Sequence, residues 1–402
     1  MKSNFIYIVY MIVCYLVTSC KQLYSPPAIS SSRSYLVVEG VINNGNDSTI
    51  INLSSSVSIF SKISTKPMNN AIIEIQDNQN KSYPLVEISS GKYVSMNLKL
   101  DSLNEYRLSI KTEDNKQYFS DYVPILNSPP IDTVYYQINN NGLSILSGTH
   151  DPSNKVKYYR WDYQETWIFH TNYFSGYVSN GDTVIERSLP DNEVYQCWGN
   201  NTSSSVLLGS TVNLSKSLII DNPITTVTST SEKLGSKYSI KVRQYALTED
   251  EYKFWNNLKT NTEKLGSIFD AQPSQIRGNI HSVSDPNEPV LGYISAGKVS
   301  AKRIFISKQQ LPNWIPIPYY PNCTIDSLFL EFKPAGATVP TNQENQYFNS
   351  QRGAGTNPLI PVQAIIFIPT IGPEIIIGHT GSTAECVDCT LRGTNKKPSF
   401  WQ

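Results

Sequence analysis

Cys20 has the clearest chemistry in the sequence, because of what precedes it. Lys2 is followed by a nearly unbroken apolar run over residues 5–17, and Leu16-Val-Thr-Ser-Cys20 ends that run. This order is typical of a bacterial lipoprotein signal, in which a peptidase cleaves before a cysteine whose thiol is acylated. The run is shorter than the roughly 20 residues that a spanning helix needs. The sequence therefore predicts a signal peptide at residues 1–19, lipidation at Cys20 and attachment to a membrane through the N-terminal lipid.

The remaining cysteines point to disulfide chemistry. Cys14 lies within the predicted signal, which leaves an even set in an oxidising compartment, where disulfides form. In one pairing, two distant cysteines each bond one member of the C-terminal Cys-x-x-Cys pair; in another, that pair bonds locally and the distant two bond each other. A metal site is the weaker alternative, since only one Cys-x-x-Cys half is present, and we predict no metal. The four candidates are Cys197, Cys323, Cys386 and Cys389.

Histidines and carboxylates offer no recognisable catalytic motif. The chain has four histidines, His150, His170, His281 and His379, and none stands in a known metalloprotease or nucleophile-elbow pattern. Gly378-His-Thr-Gly381 is the most suggestive, because two glycines can hold a bent loop. Asp162 and Glu165 are near in sequence, but residues three apart on a strand point to opposite faces. We predict no catalytic residue, no cofactor and no enzyme; a hydrolase with an unfamiliar site is the lesser alternative.

Tryptophans supply a different candidate chemistry. A tryptophan presents a broad apolar face with a donor at its edge, which suits recognition of a sugar or a peptide. Trp314 lies in a proline-rich stretch with four prolines between Leu311 and Pro321, where less core is expected to cover it. It is the candidate ligand-binding residue. Trp401 is expected to pack the C-terminal tail onto the body of the protein.

Charge and composition exclude one class of partner and favour one class of fold. Lys plus Arg and Asp plus Glu both total 33, so the chain has no net charge to attract nucleic acid, and no basic stripe in the sequence suggests a phosphate-binding surface. The 25 tyrosines and 13 phenylalanines, together with many β-branched residues, are typical of strands. We predict an all-β protein with one clear amphipathic helix and no nucleic-acid partner.

The order of strand and turn patterns predicts two domains after a tether at residues 20–34. Seven short strand-like runs between residues 35 and 126 favour an N-terminal immunoglobulin-like sandwich. Asn127-Ser-Pro-Pro130 is the expected boundary, because prolines cannot continue a strand ladder. A larger β-rich domain over residues 131–402 follows.

Within that second domain the sequence predicts one helix, near residues 248–265. Thr248 to Glu251 have the capping-box pattern, and apolar residues recur at helical spacing after them. Residues 171–234 are polar and weakly patterned, so we expect long loops there. Val290–Ile294 reads as a strand.

Motifs spread along the chain resemble a known family, lipoproteins of Bacteroidota catalogued as domain of unknown function 4249. The resemblance implies an outer-membrane lipoprotein, often encoded beside TonB-dependent transporters, with an N-terminal sandwich and no established catalytic residue. The motifs are Leu36-Val-Val-Glu-Gly40, Tyr158-Tyr-Arg-Trp161, Glu165-Thr-Trp167, Cys197-Trp198, Gln244-Tyr-Ala-Leu-Thr248, Gly266-Ser-Ile-Phe-Asp270, Gln272-Pro273, Gly278-Asn279, Pro289-Val-Leu-Gly-Tyr293, Cys386-Val-Asp-Cys-Thr390, Asn395-Lys-Lys-Pro398 and Phe400-Trp401.

Five short triplets agree with export in that phylum. Each has an aspartate, then serine or threonine, then a further residue, and resembles the O-glycosylation site of exported Bacteroidota proteins. A three-residue pattern also occurs by chance in turns. The candidate acceptors are Ser48, Ser102, Thr133, Thr183 and Ser327.

These predictions combine into an expected function. The protein is expected to be a non-catalytic, lipid-anchored protein of the outer membrane, on the extracellular face, acting as partner of an integral β-barrel such as a TonB-dependent transporter. One alternative is a subunit of an outer-membrane assembly, secretion or motility complex. The other is a glycan- or peptide-binding module.

Overall fold

The computed structural model describes residues 34–57, 66–96, 98–263, 277–349 and 358–402. The predicted signal peptide and Cys20 lie outside these ranges, as does the tether except for Ser34. Over the described residues the chain is mostly β-strand with a few short helices, so the all-β prediction is confirmed. Among these residues no helix is both long enough and apolar enough to cross a membrane.

The first unit is a curled sheet around one apolar core. Leu36 and Val38 on β1 are buried and alternate with less buried positions, and Ile73 and Ile75 do so on β4, which places one side of each strand inside. The strands pair in the order β8-β7-β4-β5-β6-β2-β1, with β3 on β2 and β9 on β7. They are β1 (Leu36–Asn43), β2 (Thr49–Ser55), β3 (Lys66–Pro67), β4 (Ile72–Asp77), β5 (Ser82–Ser89), β6 (Lys92–Ser95), β7 (Glu105–Lys111), β8 (Gln117–Ser120) and β9 (Val123–Pro124).

The second unit pairs a three-stranded sheet, β10-β11-β17, with a larger sheet centred on β12. Tyr159 and Trp161 stack in its core with ring centroids 5.8 Å apart. Residues 171–234, expected to be loops, contain five strands, so that expectation is wrong. The strands are β10 (Ile131–Asn139), β11 (Gly142–His150), β12 (Tyr158–His170), β13 (Tyr177–Ser179), β14 (Val184–Glu186), β15 (Gln196–Thr202), β16 (Leu207–Ser210), β17 (Leu218–Thr228) and β18 (Lys237–Leu247).

The predicted helix is present as α1 (Glu249–Glu263). The Thr248 hydroxyl accepts a hydrogen bond from the backbone N–H of Glu251 at 3.2 Å, as a helix N-cap does. The Glu251 side chain does not complete the capping box. It is buried, and its carboxylate accepts from Trp255 Nε1 at 3.3 Å.

The chain then returns to the first unit before it finishes the second. β19 (Ile280–Ser282) pairs with β8, and β20 (Ala296–Gly297) runs parallel to β1. Ile294 is fully buried in the first core. The predicted boundaries gave this segment to the second domain, because pairing between distant strands leaves no local sequence signal. Val290–Ile294 forms no strand; it contributes a single bridge between Leu291 and Val37.

The C-terminal part adds one strand to the second unit and then builds a third sheet. β21 (Ser300–Ser307) pairs with β18. The third sheet has the order β22-β24-β23. Its elements are β22 (Asp326–Phe329), α2 (Gln343–Tyr347), β23 (Ile360–Phe367), β24 (Ile375–Ser382) and α3 (Ala384–Val387).

Candidate functional site

Two disulfides fasten the base of the third sheet, and one of them reaches the second unit. Cys197 on β15 bonds Cys389, and Cys323 bonds Cys386 on α3. The structure thus shows the pairing in which each distant cysteine meets one member of the Cys-x-x-Cys pair. All four sulfurs are used, and no group of three or more His, Cys, Asp or Glu side chains in the described residues is arranged to hold a metal.

Strands β23 and β24 and the turn between them form an exposed apolar hairpin, residues 360–382. Ile371 at the turn is 92% exposed and Ile368 is 70% exposed. Glu374 is the only acidic residue in the segment, which contains no Lys or Arg. Large exposed apolar patches are often found at protein or membrane contact surfaces. The exposed large side chains are Ile366, Phe367, Ile368, Ile371, Ile375 and Ile376.

A cavity of about 290 Å³ lies beside the base of this hairpin. Thr183, next to β14, and Phe348, which follows α2, line it from two sides. His379 and Ile376 on β24 line it from a third. Elements from distant parts of the sequence therefore meet at one concave site, as small-molecule sites often require.

His379 and Glu344 form a buried pair in the wall of this cavity. His379 Nδ1 lies 2.6 Å from Glu344 Oε1, and both side chains are about 5% exposed. An ionised carboxylate only accepts hydrogen bonds, so Nδ1 is the donor. The Tyr177 ring meets the imidazole edge to face at 4.6 Å. His379 Nε2 is buried and has no hydrogen-bond partner among the described residues.

The two glycines around His379 allow close packing at this site. A Cβ at Gly378 would lie 2.1 Å from the backbone oxygen of Leu328. A Cβ at Gly381 would lie 2.5 Å from the Phe348 ring. Both distances are far below contact distance, so Gly378-His-Thr-Gly381 is a strand that brings its neighbours close. It is not the bent loop that the sequence suggested.

The other three histidines are exposed and lie beside polar neighbours. His150 Nδ1 is 2.7 Å from Asp132, and His281 Nε2 is 3.2 Å from Asp121. His170 Nε2 is 3.2 Å from Gln196 Oε1. None of them lines the cavity.

Asp162 and Glu165 are not brought together. Asp162 accepts from Arg243 Nε at 2.5 Å and from the Tyr245 hydroxyl at 2.8 Å.

Glu165 is buried on the other face of β12 within its own network. It accepts from Lys233 Nζ at 2.6 Å and from the Tyr238 hydroxyl at 2.7 Å. Burial, with the Glu165 charge beside it, raises the pKa of Tyr238 well above its ordinary value, so the phenol stays a neutral donor. Both carboxylates therefore serve structural networks, and no shared acid and base pair exists.

Trp314 is half-buried and packs against the second core, although its loop is proline-rich. The neighbouring Ile315 is 84% exposed instead. All six tryptophans lie in the described part of the chain, and each is buried or half-buried. Trp401 meets Phe305 edge to face at 5.5 Å, which confirms that it packs the C-terminal tail onto the body.

The glycosylation candidates are mostly accessible. Ser102, Thr133, Thr183 and Ser327 are exposed, whereas Ser48 is half-buried with its hydroxyl 2.8 Å from Met96 Sδ. Thr183 also lines the cavity.

Sequence reasoning missed Glu344 and the exposure of the hairpin. Glu344 carries no motif of its own. The hairpin had a visible signal, because isoleucine is unusually dense between residues 360 and 377. Isoleucine density alone does not distinguish a buried strand from an exposed one.

A family model described as "Domain of unknown function (DUF4249)" matches residues 22–303. The match ends before the third sheet, so it does not include the hairpin or His379. No curated protein shows significant similarity to the chain. Among solved structures, a two fibronectin type-III domain segment from chicken tenascin is 13% identical, covering 54% of this chain and 94% of that chain, with a TM-score of 0.16.

Proposed function

The chain belongs to the family of domains of unknown function DUF4249, and on that premise we propose a docking role at the bacterial outer membrane. In this proposal the protein is a Bacteroidota lipoprotein, held by lipid on Cys20 at the extracellular face. It is non-catalytic and binds an integral β-barrel, such as a TonB-dependent transporter, in support of nutrient uptake.

The exposed apolar hairpin is the observation that carries this proposal. Ile368 and Ile371 would leave water on binding, and apolar burial is the main favourable term in most protein association. An integral barrel carries a girdle of aromatic residues at each membrane interface, which offers apolar surface at its rim. The hairpin has one acidic side chain, Glu374, so little charge would have to be desolvated.

The disulfides support the same role. A docking element binds more tightly when it is held rigidly on the rest of the protein, because less conformational entropy is lost on binding. Cys323–Cys386 and Cys197–Cys389 fasten the base of the third sheet at two points, the second of them on β15 of the second unit. The two disulfides therefore fix the base of the sheet that carries the hairpin.

The test is co-purification of the full chain from outer membranes in mild detergent, through a tag after Gln402. We expect one integral β-barrel at stoichiometric yield, identified by mass spectrometry. Ile371→Asp should reduce that yield at least about tenfold, because the interface would bury an unpaired charge.

Leu103→Asp is the matched control. Leu103 is 89% exposed on the first unit, so the same change there should leave the yield unaltered. Recovery of the protein alone, or an equal barrel yield with Ile371→Asp, would refute docking through the hairpin. Recovery of a multi-protein assembly would instead favour a subunit of a secretion or motility complex.

A further inference from the structure

We propose that the cavity around His379 is a binding site for a neutral carbohydrate ring. The cavity shares Ile376 with the hairpin but differs from it in chemistry. The hairpin offers apolar side chains to a protein, whereas the cavity has a buried polar atom in its wall.

The first argument is the buried nitrogen. Glu344 holds the proton of His379 on Nδ1, so in the neutral imidazole Nε2 is an acceptor. Buried polar atoms are nearly always hydrogen-bonded, and one without a protein partner points to a ligand or water. Nε2 has none among the described residues. A ligand hydroxyl group suits Nε2 in either protonation state, since it can donate to a neutral imidazole or accept from an imidazolium.

The second argument is the mixed lining. Phe348 and Ile376 give the cavity an apolar side, suited to the C–H face of a sugar ring. Thr183 and Asn345 bring a hydroxyl and a carboxamide, groups that both donate and accept hydrogen bonds. Hydroxyl groups do the same, whereas an ammonium group only donates. A polyhydroxylated ring therefore fits this lining better than an amine.

The third argument is charge and size. Asp182 and Glu344 line the cavity, and no Lys or Arg does, which disfavours an anion. The volume of about 290 Å³ is at the lower end of small-molecule sites, roughly 300–1,000 Å³. It suits one ring better than an extended chain. A metal is not expected, because the described residues contain no suitable cluster of ligands.

The test uses the full chain in detergent and the methyl glycosides of glucose, galactose, mannose and N-acetylglucosamine as probes. Saturation-transfer NMR should detect binding of at least one of them, and calorimetry should then give its affinity. His379→Phe should weaken binding at least about tenfold, because a ligand hydroxyl loses its buried acceptor.

His379→Phe leaves Glu344 buried without its partner, so a second variant is needed in case the first fails to fold. Thr183→Trp obstructs the cavity from an exposed position and should also weaken binding at least about tenfold. Thr133→Trp is the matched control. It lies in an identical Asp-Thr-Val triplet, is exposed, and belongs to β10, away from the cavity.

Loss of binding in Thr183→Trp with binding kept in Thr133→Trp supports the proposal. The proposal is overturned if none of the four glycosides binds the wild type, or if Thr183→Trp binds as tightly as the wild type. It is also overturned if putrescine binds the cavity more tightly than every glycoside. Barrel docking is read out separately by Ile371→Asp, so either proposal can fail without the other.

Discussion

Glu251 shows how one buried side chain couples the stability of the protein to pH. It stands in the first turn of α1, and its carboxyl group is covered from solvent. Burial raises its pKa from 4.5 to about 7, although the Arg160 charge and hydrogen bonds from Ser295 and Trp255 act in the opposite direction. Ser295 belongs to the segment that returns to the first unit, so the group lies where the two units meet.

The sign of the effect follows from the raised pKa. Below pH 4.5 the carboxyl is protonated in both the folded and unfolded states. Between pH 4.5 and about 7 only the unfolded state ionises, so the free energy of unfolding falls as pH rises. We predict a loss of roughly 3 kcal/mol across this window, which Glu251→Gln should largely abolish. Urea unfolding at pH 5, 6, 7 and 8 measures it.

Glu249→Gln is the matched control for this prediction. Its side chain is in the same helical turn but 61% exposed, paired with Lys253. The control should keep the pH dependence of the wild type. Equal slopes for the wild type and Glu251→Gln would show that Glu251 ionises freely in the folded state.

The sequence predicts the structural roles of some single residues and not of others. The cysteines and Trp401 were predictable, because disulfide formation and tail packing follow from residue type and compartment. His379 stood out through its two glycines. Its partner Glu344 did not, because the pair is 35 residues apart and on separate elements. No local spacing rule connects a short helix with a strand in this way.

At the scale of elements, the stability of the third sheet depends on a disulfide at its base. Cys323 precedes β22 and Cys386 follows β24, so their disulfide encloses the whole sheet. A disulfide of this kind stabilises mainly by restricting the unfolded chain. The sheet has three strands and exposes much apolar surface, so it has little core of its own.

We predict that the double variant Cys323→Ser, Cys386→Ser lowers the free energy of unfolding by about 2–4 kcal/mol. Amide hydrogen exchange should accelerate in β22, β23 and β24. Exchange in β4 and β7 of the first unit provides the internal control and should not change. Unchanged protection across the third sheet would mean that packing alone holds it.

Strand prediction succeeded where one face is buried and failed where burial is shallow. β4 alternates buried residues with less buried ones, and β1 and β7 do so over part of their length, which a period of two reveals. β17 is rich in β-branched residues, but Asp221-Asn-Pro223 interrupts it and most of its positions are exposed or half-buried, so no alternating pattern is visible. Its strand form comes from pairing with β11, a contact that its own sequence does not encode.

At the scale of the whole molecule, the first unit is completed by residues far along the chain. Ile280, Val290, Ile294 and Ala296 are buried in its core, and β19 and β20 pair with its edge strands. The boundary at residues 127–130 stays a prediction; at this point Gln244 of the second unit donates to the Pro129 carbonyl at 3.0 Å. The return of β19 and β20 to the first unit was not predictable from the sequence. A short strand that joins a distant sheet has too few residues for a periodic signal.

We predict that a fragment of residues 34–130 does not fold alone. It lacks those four buried side chains, which contribute roughly 6 kcal/mol by burial, close to the whole stability of many domains. Dispersion of amide signals in NMR spectra measures folding. The control joins residues 278–298 after residue 130 through a flexible Gly/Ser linker and should fold. Cooperative folding of the shorter fragment would contradict the prediction.

Because β19 and β20 are synthesised late, the first unit remains incomplete for some time during translation. A chain emerges from the ribosome N-terminus first, so residues 36–124 are complete well before residues 280–297 appear. At about 5–20 residues per second, the interval is roughly 8 to 30 seconds. Throughout it, the edges of β1 and β8 lack their final partners and can pair with other chains. The nascent protein is thus most prone to aggregate until residues 280–297 have been made.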